Sequence, residues 1–260
     1  MRYGVCCALT DAERMARLGF DYVETNATVL SRMEETAFRE GGAALEASGL
    51  RAEAFNCLFP AEWKILSSEV ADEAIVRYLD PLFERMAALG GQIVVFGSGY
   101  ARHRPADMSE TEGKERMVAV CRLIAERAVM NGLEAVIEPL NRAETNVVNT
   151  QEEARELVRR VGHPAFGLLA DYYHMQAVGD DAAAVAADGP LLRHAHIAVP
   201  GERTCPRIGD GVDYAPFFEG LAGAGYDGRI SFEGNAGNGE ETYPALLDFL
   251  RQAGAAYFTA

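Results

Sequence analysis

The chain has 260 residues, of which 49% are hydrophobic and 24% charged, and its net charge is −15. This balance is ordinary for a globular protein, and no apolar run is long enough to cross a bilayer. The acidic excess argues against a nucleic-acid partner, which needs a basic surface that releases counterions. The opening residues, MRYGVCCALTDAER, lack the basic region and long apolar segment of an export signal. The five cysteines are odd in number and form no C-x-x-C pair, so the expectation is reduced thiols in a cytoplasmic protein.

Strand-like and helix-like segments alternate along the whole chain. RYGVCCAL predicts a first strand and DAERMARLGF a first helix, with Thr10 as its cap and Gly19 as its stop. YVETNA is the second strand, followed by a helix over 31–48 that stops at Ser48-Gly49. RAEAFNCLF is the third strand. It leads to a loop with Phe59 and the single tryptophan, Trp63, which reads either as an apolar lid or as core packing. A helical pattern over 69–89 places Ile75, Leu79, Leu82, Phe83 and Met86 on one face, and Pro81 within it predicts a kink or a break. QIVVFGSG is the fourth strand. Its Gly97-Ser98-Gly99 turn with Arg102 reads either as an anion cradle or as a tight strand-to-helix turn. The next helix runs from Ser109 to Met130 and stops at Asn131-Gly132.

LEAVIEPL is strand five, and Thr150-Gln-Glu-Glu opens the following helix with a capping-box pattern. FGLLAD is strand six, with a short alanine-rich helix near 180–187. LRHAHIAV is strand seven, with a helix from Asp213 to Ala222. GRISFEGN is strand eight, and a last helix covers 241–252. Eight strand–helix pairs with no compositional break predict one domain over 1–260, an α/β fold closed as a single (β/α)8 barrel. An open doubly wound sheet is the alternative. The first strand, however, is not followed by the G-x-G-x-x-G of a dinucleotide site.

Four of the later strands end in metal-ligand residue types, Glu138, Asp171, His196 and Glu233, at spacings of 33, 25 and 37 residues. In parallel barrels the chemistry sits at the carboxyl ends of the strands. Period-2 alternation lets each of these side chains point inward while its neighbours pack outward. Salt bridges or helix caps explain any one of them. All four at matching positions point to one divalent ion, since ionisable groups are costly to bury unless paired or metal-bound. Three carboxylates and one imidazole suit Mn(II), Mg(II) or Co(II), with zinc also compatible. Glu24, which ends YVET, reads either as a group that orients a metal ligand from behind or as a barrel-end salt bridge. His194 lies one layer below His196 and reads as a structural or supporting histidine.

These segments resemble the sugar phosphate isomerase/epimerase family, xylose isomerase-like TIM barrels that include ketose 3-epimerases, hydroxypyruvate isomerases and inosose dehydratases. The matching motifs are E-P-L-N-R at 138–142 with Glu144 just after, D-Y-Y-H-M at 171–175, H-A-H-I at 194–197, F-E-G-N at 232–235 and F-G-S-G at 96–99. The resemblance covers nearly the whole chain. It implies that Glu138, Asp171, His196 and Glu233 hold one divalent metal ion, with Mn(II) first. It also implies that Glu138 and Glu233 are the catalytic acid/base pair on opposite faces of the substrate carbon, working through a cis-enediolate. His174, Glu144 and Arg203 match substrate-contacting positions, and Arg207 is a rival for the arginine.

The chain departs from the epimerase pattern at 198–200, where A-V-P stands in place of an acid. The expected activity is metal-dependent epimerisation or isomerisation of a small keto-sugar. Hydroxypyruvate or aldose–ketose isomerisation, or an inosose dehydratase-type elimination on the same site, is the alternative. The expected partners are a small sugar or keto-acid and further copies of the chain in a dimer or tetramer, with no nucleic acid and no membrane. Five histidines and the acidic balance argue against the related abasic-site endonucleases. The intact glutamate pair argues against a non-catalytic binding barrel.

Overall fold

The computed structural model describes residues 1–258 other than Asn238 and Glu240. Eight strands form the barrel: β1 Arg2–Cys6, β2 Tyr22–Asn26, β3 Ala52–Asn56, β4 Ile93–Phe96, β5 Glu134–Ile137, β6 Phe166–Asp171, β7 Leu192–Ile197 and β8 Arg229–Phe232. They pair in parallel in sequential order, and β8 closes on β1 through Arg2↔Arg229 to Val5↔Phe232. The helices are α1 Ala12–Leu18, α2 Ala27–Arg32, α3 Glu35–Ser48, α4 Asp72–Ala88, α5 Glu110–Val129, α6 Gln151–Val161, α7 Tyr172–Val178, α8 Ala182–Ala186, α9 Ala215–Gly223 and α10 Thr242–Ala255. The expected xylose isomerase-like (β/α)8 architecture is present. No helix among the described residues is long and apolar enough to cross a membrane.

The apolar residues divide into two bodies. The larger lies between the outer strand faces and the helices, and the smaller fills the barrel with Tyr22, Ala54, Ile93, Val95, Val136 and Leu169. The same alternation that sends these side chains inward sends inward whatever stands two residues later, which on these five strands is the residue at the rim.

Three local expectations change. The helix expected over 31–48 is two helices, because α2 starts early on the Asn26 side chain, which accepts from the Val29 amide at 2.9 Å. The α2 C-terminus is then closed by Arg85 of α4, which donates to the carbonyls of Leu30 and Met33 at 2.9 and 2.7 Å. Pro81 does not break α4, which runs unbroken from Asp72 to Ala88. Its ring lies on the exposed side, while Ile75, Leu79, Leu82, Phe83 and Met86 hold the opposite face on the barrel. Helix α7 was not expected. Asp171 starts it by accepting from the Tyr173 amide at 2.8 Å.

Arg102 acts as a staple between strands and does not serve as an anion cradle. The side chain is fully buried and donates to the carbonyls of Phe96 and Glu138 at 2.9 and 2.7 Å, tying the ends of β4 and β5 together. Phe59 is packed into the core, stacked on Trp63 and Tyr78 and edge-on to Phe96. Replacing Arg102 with Leu leaves the buried Glu138 carbonyl without its donor and strips the Phe96 carbonyl of its shorter bond, leaving it only the Glu138 N–H at 3.3 Å. It is expected to cost about 3 kcal/mol, a fall of roughly 6–12 °C in Tm by calorimetry for a chain of this size.

Candidate active site and metal centre

The eight strand ends bring Cys6, Glu24, Asn56, Gly97, Glu138, Asp171, His196 and Glu233 to one mouth. Each stands two residues beyond, or at, an inward position of its strand. Glu138 follows Val136, Asp171 follows Leu169, His196 follows His194 and Glu233 follows Ser231. The four expected ligand residues converge: one donor atom from each of Glu138, Asp171, His196 and Glu233 lies within 4.8 Å of the others. Donors about 2.0–2.2 Å from a common ion are at most about 4.4 Å apart, so the cluster is within a few tenths of an ångström of ligand spacing.

Electrostatics favours a cation there. Burial, then the Glu233 charge, raises the Glu138 carboxyl. Burial and the Glu138 charge push Asp171 up to about 8. Burial opposes charge on His196 too, yet Glu24, Glu138 and Glu233 around it hold the imidazole protonated well above its usual range. The imidazolium takes the cation's part, with Nδ1 3.1 Å from Glu138 and 3.8 Å from Glu233. Asp171 spends one oxygen capping α7, and its Oδ2 is buried with no partner. A divalent ion satisfies that orphan oxygen and relieves the repulsion, so the donor set fits such an ion.

Glu24 settles into the first of its two readings. Fully buried, its two oxygens receive His196 Nε2 at 3.0 Å and His194 Nε2 at 2.8 Å. Both histidines are thereby held with their Nε2–H toward Glu24, so that His196 Nδ1 faces the cluster and would offer its lone pair to an ion that displaces the Nδ1 proton. Burial works against the Glu24 charge, but His196 and His194 keep its carboxyl far below the usual range.

The three expected substrate-contacting residues flank the cluster. His174 Nδ1 accepts from the Asn141 backbone N–H at 3.1 Å and from its side-chain amide at 3.0 Å. The ring proton is therefore on Nε2, which is buried without a partner, 3.6 Å from Asp171 Oδ2. Burial and the Arg203 charge push His174 down to about 2, so it is a neutral donor. Arg203 reaches Glu233 at 2.5 Å and Glu144 at 3.4 Å and lies over the Tyr173 ring at 4.9 Å. Its rival Arg207 is exposed. Arg203 holds a left-handed backbone, φ 53°, costing of order 1–3 kcal/mol for a side-chain-bearing residue. The β8 end imposes it: Asn235 N–H donates to the Arg203 carbonyl at 2.7 Å, and a methyl at Gly234 would sit 2.3 Å from that oxygen.

One contributor, Asn56, escaped the sequence reading, and Gly97, read there only as part of a turn and a motif, has a role at the site. Asn56, the last residue of β3, donates to Glu233 Oε1 at 2.7 Å; its place at a strand end was the available signal. Gly97 faces the Glu138 carboxylate so closely that a methyl would lie 2.3 Å from Oε2.

The comparisons agree with this geometry. A family profile described as xylose isomerase-like TIM barrel matches residues 12–253. The chain belongs to that family. A ketose 3-epimerase of Arthrobacter globiformis is 31% identical over 229 residues, 85% of this chain and 75% of the relative. A 3-dehydro-D-guloside 4-epimerase of Escherichia coli is 28% identical over 185 residues, 68% of this chain and 70% of the relative. The crystal structure of a D-allulose 3-epimerase from Methylomonas sp. in complex with D-allulose superposes with TM-score 0.80 at 25% identity, covering 97% of each chain. This xylose isomerase-like barrel is an enzyme of the sugar isomerase and epimerase group.

Two outcomes test the site. In Glu24→Gln the amide offers one acceptor where two N–H donors need two, so affinity for Mn(II) by calorimetric titration is expected to fall about 10–100-fold. The second concerns the metal-depleted protein. Asp171 ionises at 3.8 when unfolded and near 8 when folded, so the native state binds the extra proton between these values and stability falls as pH rises through them. His196, raised, loses its contribution in the same direction. Below pH 6.5 the depressed His174 and His194 act in the opposite sense, so Tm of the EDTA-treated protein is expected to drop from pH 6.5 to pH 8, and excess divalent ion is expected to remove or reverse that slope.

Proposed function

We propose that the chain is a divalent-metal-dependent epimerase of small ketoses, acting at the carbon beside the carbonyl. The observation that carries this reading is the meeting of Glu138 and Glu233 at one imidazole, from β5 and β8, with separate supports for each carboxylate. Glu233 is held by Asn56 and Arg203, and Glu138 by His196 and the methyl-free face of Gly97. Two carboxylates presented from different strands can serve the two faces of one substrate carbon, which epimerisation requires and a simple binding site does not. The ketose 3-epimerase likeness of the relatives supports the same class.

Glu138, Asp171, His196 and Glu233 would hold the ion, and when bound it supplies Lewis-acid polarisation of a carbonyl and its neighbouring hydroxyl, acidifying the C–H between them. One glutamate removes that proton and the other returns a proton to the opposite face, inverting the centre through a cis-enediolate. The reaction is reversible, so each glutamate serves as acid in one direction and base in the other. His174 donates its Nε2–H to a substrate oxygen. Arg203 and Glu144 grip a hydroxyl at the outer side, with Arg203 held flat by Tyr173. Burial of the whole cluster excludes water and raises the strength of these contacts. We place the enzyme in the cytoplasm, where the five thiols, all free in the structure, stay reduced.

Glu138→Gln and Glu233→Gln should each lower kcat by at least about 10²–10⁴ while circular dichroism stays unchanged. A Gln variant that kept near-native turnover with metal present would sink the two-glutamate mechanism. In deuterated water the wild-type enzyme should place deuterium at one carbon of product and recovered ketose without loss of water. A dehydrated product would instead show a lyase.

A further inference from the structure

A groove lies between the loops at 57–71, 97–109 and 138–150, and Glu144, which bonds Asn141 and Arg203 on its inner side, is part of its wall. Its volume is 930 Å³, near the top of the range of about 300–1,000 Å³ for small-molecule sites. None of Glu138, His174 and Arg203 lines this space, so a single ketose held among them would leave it unfilled. The lining has the chemistry of carbohydrate recognition. Tyr100, 64% exposed, presents an aromatic ring on the groove wall. An exposed ring is a surface on which the positively polarised C–H face of a sugar packs. Hydroxyl and carboxylate groups of Ser67, Ser68, Glu69 and Asp107 stand around it to exchange hydrogen bonds with sugar hydroxyls.

The charge of the groove selects further. The acids Glu69, Asp107, Glu112 and Glu144 face one fixed cation, Lys64, together with His103. Arg203 offsets Glu144, which still leaves the wall acidic. A phosphate carrying nearly two negative charges would be repelled there, whereas a neutral polyhydroxylated ring would not be.

We infer that this groove is a second sugar subsite, so that the favoured substrate is an unphosphorylated keto-sugar carrying a second neutral sugar ring; the inference rests on the epimerase reading above. The linkage has to leave free the carbonyl and the hydroxyl beside it, so the second ring is attached through an oxygen at the far end of the keto-sugar. Glu144 then sits at the junction, touching the reacting sugar through Arg203 and facing the groove with its other side.

The test compares three substrates of the metal-loaded enzyme: D-fructose, D-fructose 6-phosphate, and isomaltulose, which carries a glucosyl unit on O-6 of fructose. Epimerisation is read by deuterium exchange and chromatography. The expected order in kcat/KM is isomaltulose at least about tenfold above fructose, and fructose 6-phosphate below fructose. Tyr100→Ala, exposed and so harmless to folding, should raise KM for isomaltulose about tenfold with kcat little changed. If fructose is epimerised as well as or better than isomaltulose, the second subsite is wrong while the epimerase reading stands. If the phosphate ester is preferred, the charge argument is wrong. If none of the three exchanges a proton, the epimerase reading itself falls and takes the subsite with it.

Discussion

Four carboxylates, of Glu24, Glu138, Asp171 and Glu233, meet two imidazoles at the mouth of the barrel, almost entirely out of water. Charges this close and this dry are incompatible unless each has a counter-charge or a proton. Glu24 resolves its own case by taking both histidines. The other three carboxylates share one imidazole, with Arg203 also on Glu233, and burial together with their mutual repulsion raises the proton affinities of Glu138 and Asp171. A cation between them is the arrangement that leaves every one of these groups satisfied, and the orphan Oδ2 of Asp171 marks where a donor still lacks a partner.

The surrounding structure serves that cluster. Arg102 sews β4 to β5 through carbonyls immediately beside Gly97 and at Glu138 itself, so the strand end bearing one glutamate cannot drift. The F-E-G-N segment does the corresponding task on the other side: Glu233 enters the cluster, Gly234 lets the β7 loop approach, and Asn235 holds that loop so that Arg203 reaches back to Glu233. The motif therefore encodes a clamp between two strands as well as a ligand. Asn141 acts similarly within E-P-L-N-R, fixing the His174 tautomer by donating to Nδ1 and leaving Nε2–H without a hydrogen-bond partner beside Asp171 Oδ2.

Much of this was legible beforehand because a parallel barrel has few degrees of freedom. Strand–helix alternation, sequential pairing and period-2 side-chain direction carry a residue at a strand end to the mouth with little ambiguity. Glu138, Asp171, His196 and Glu233 could therefore be grouped by position alone. Features that depend on contacts between distant segments were not legible. The break between α2 and α3 is made by Arg85, about fifty residues later in the chain. Helix α7 begins on a carboxylate that reads from the sequence as a ligand. Whether Arg102 bound an anion or belonged to a tight strand-to-helix turn stayed open, because its two carbonyl partners come from different strand ends.

The amino-acid sequence by itself determined the barrel, the side of it on which chemistry occurs and the four residues of the cluster, because alternation and strand order are properties of the local chain. The tertiary structure decided which of two open readings applied to Glu24, which arginine faces Glu233, and that a broad acidic groove adjoins Glu144. Those outcomes depend on distances between loops that are far apart in the chain, and loop conformation is governed by packing and by strained single residues such as Arg203 rather than by any periodic pattern.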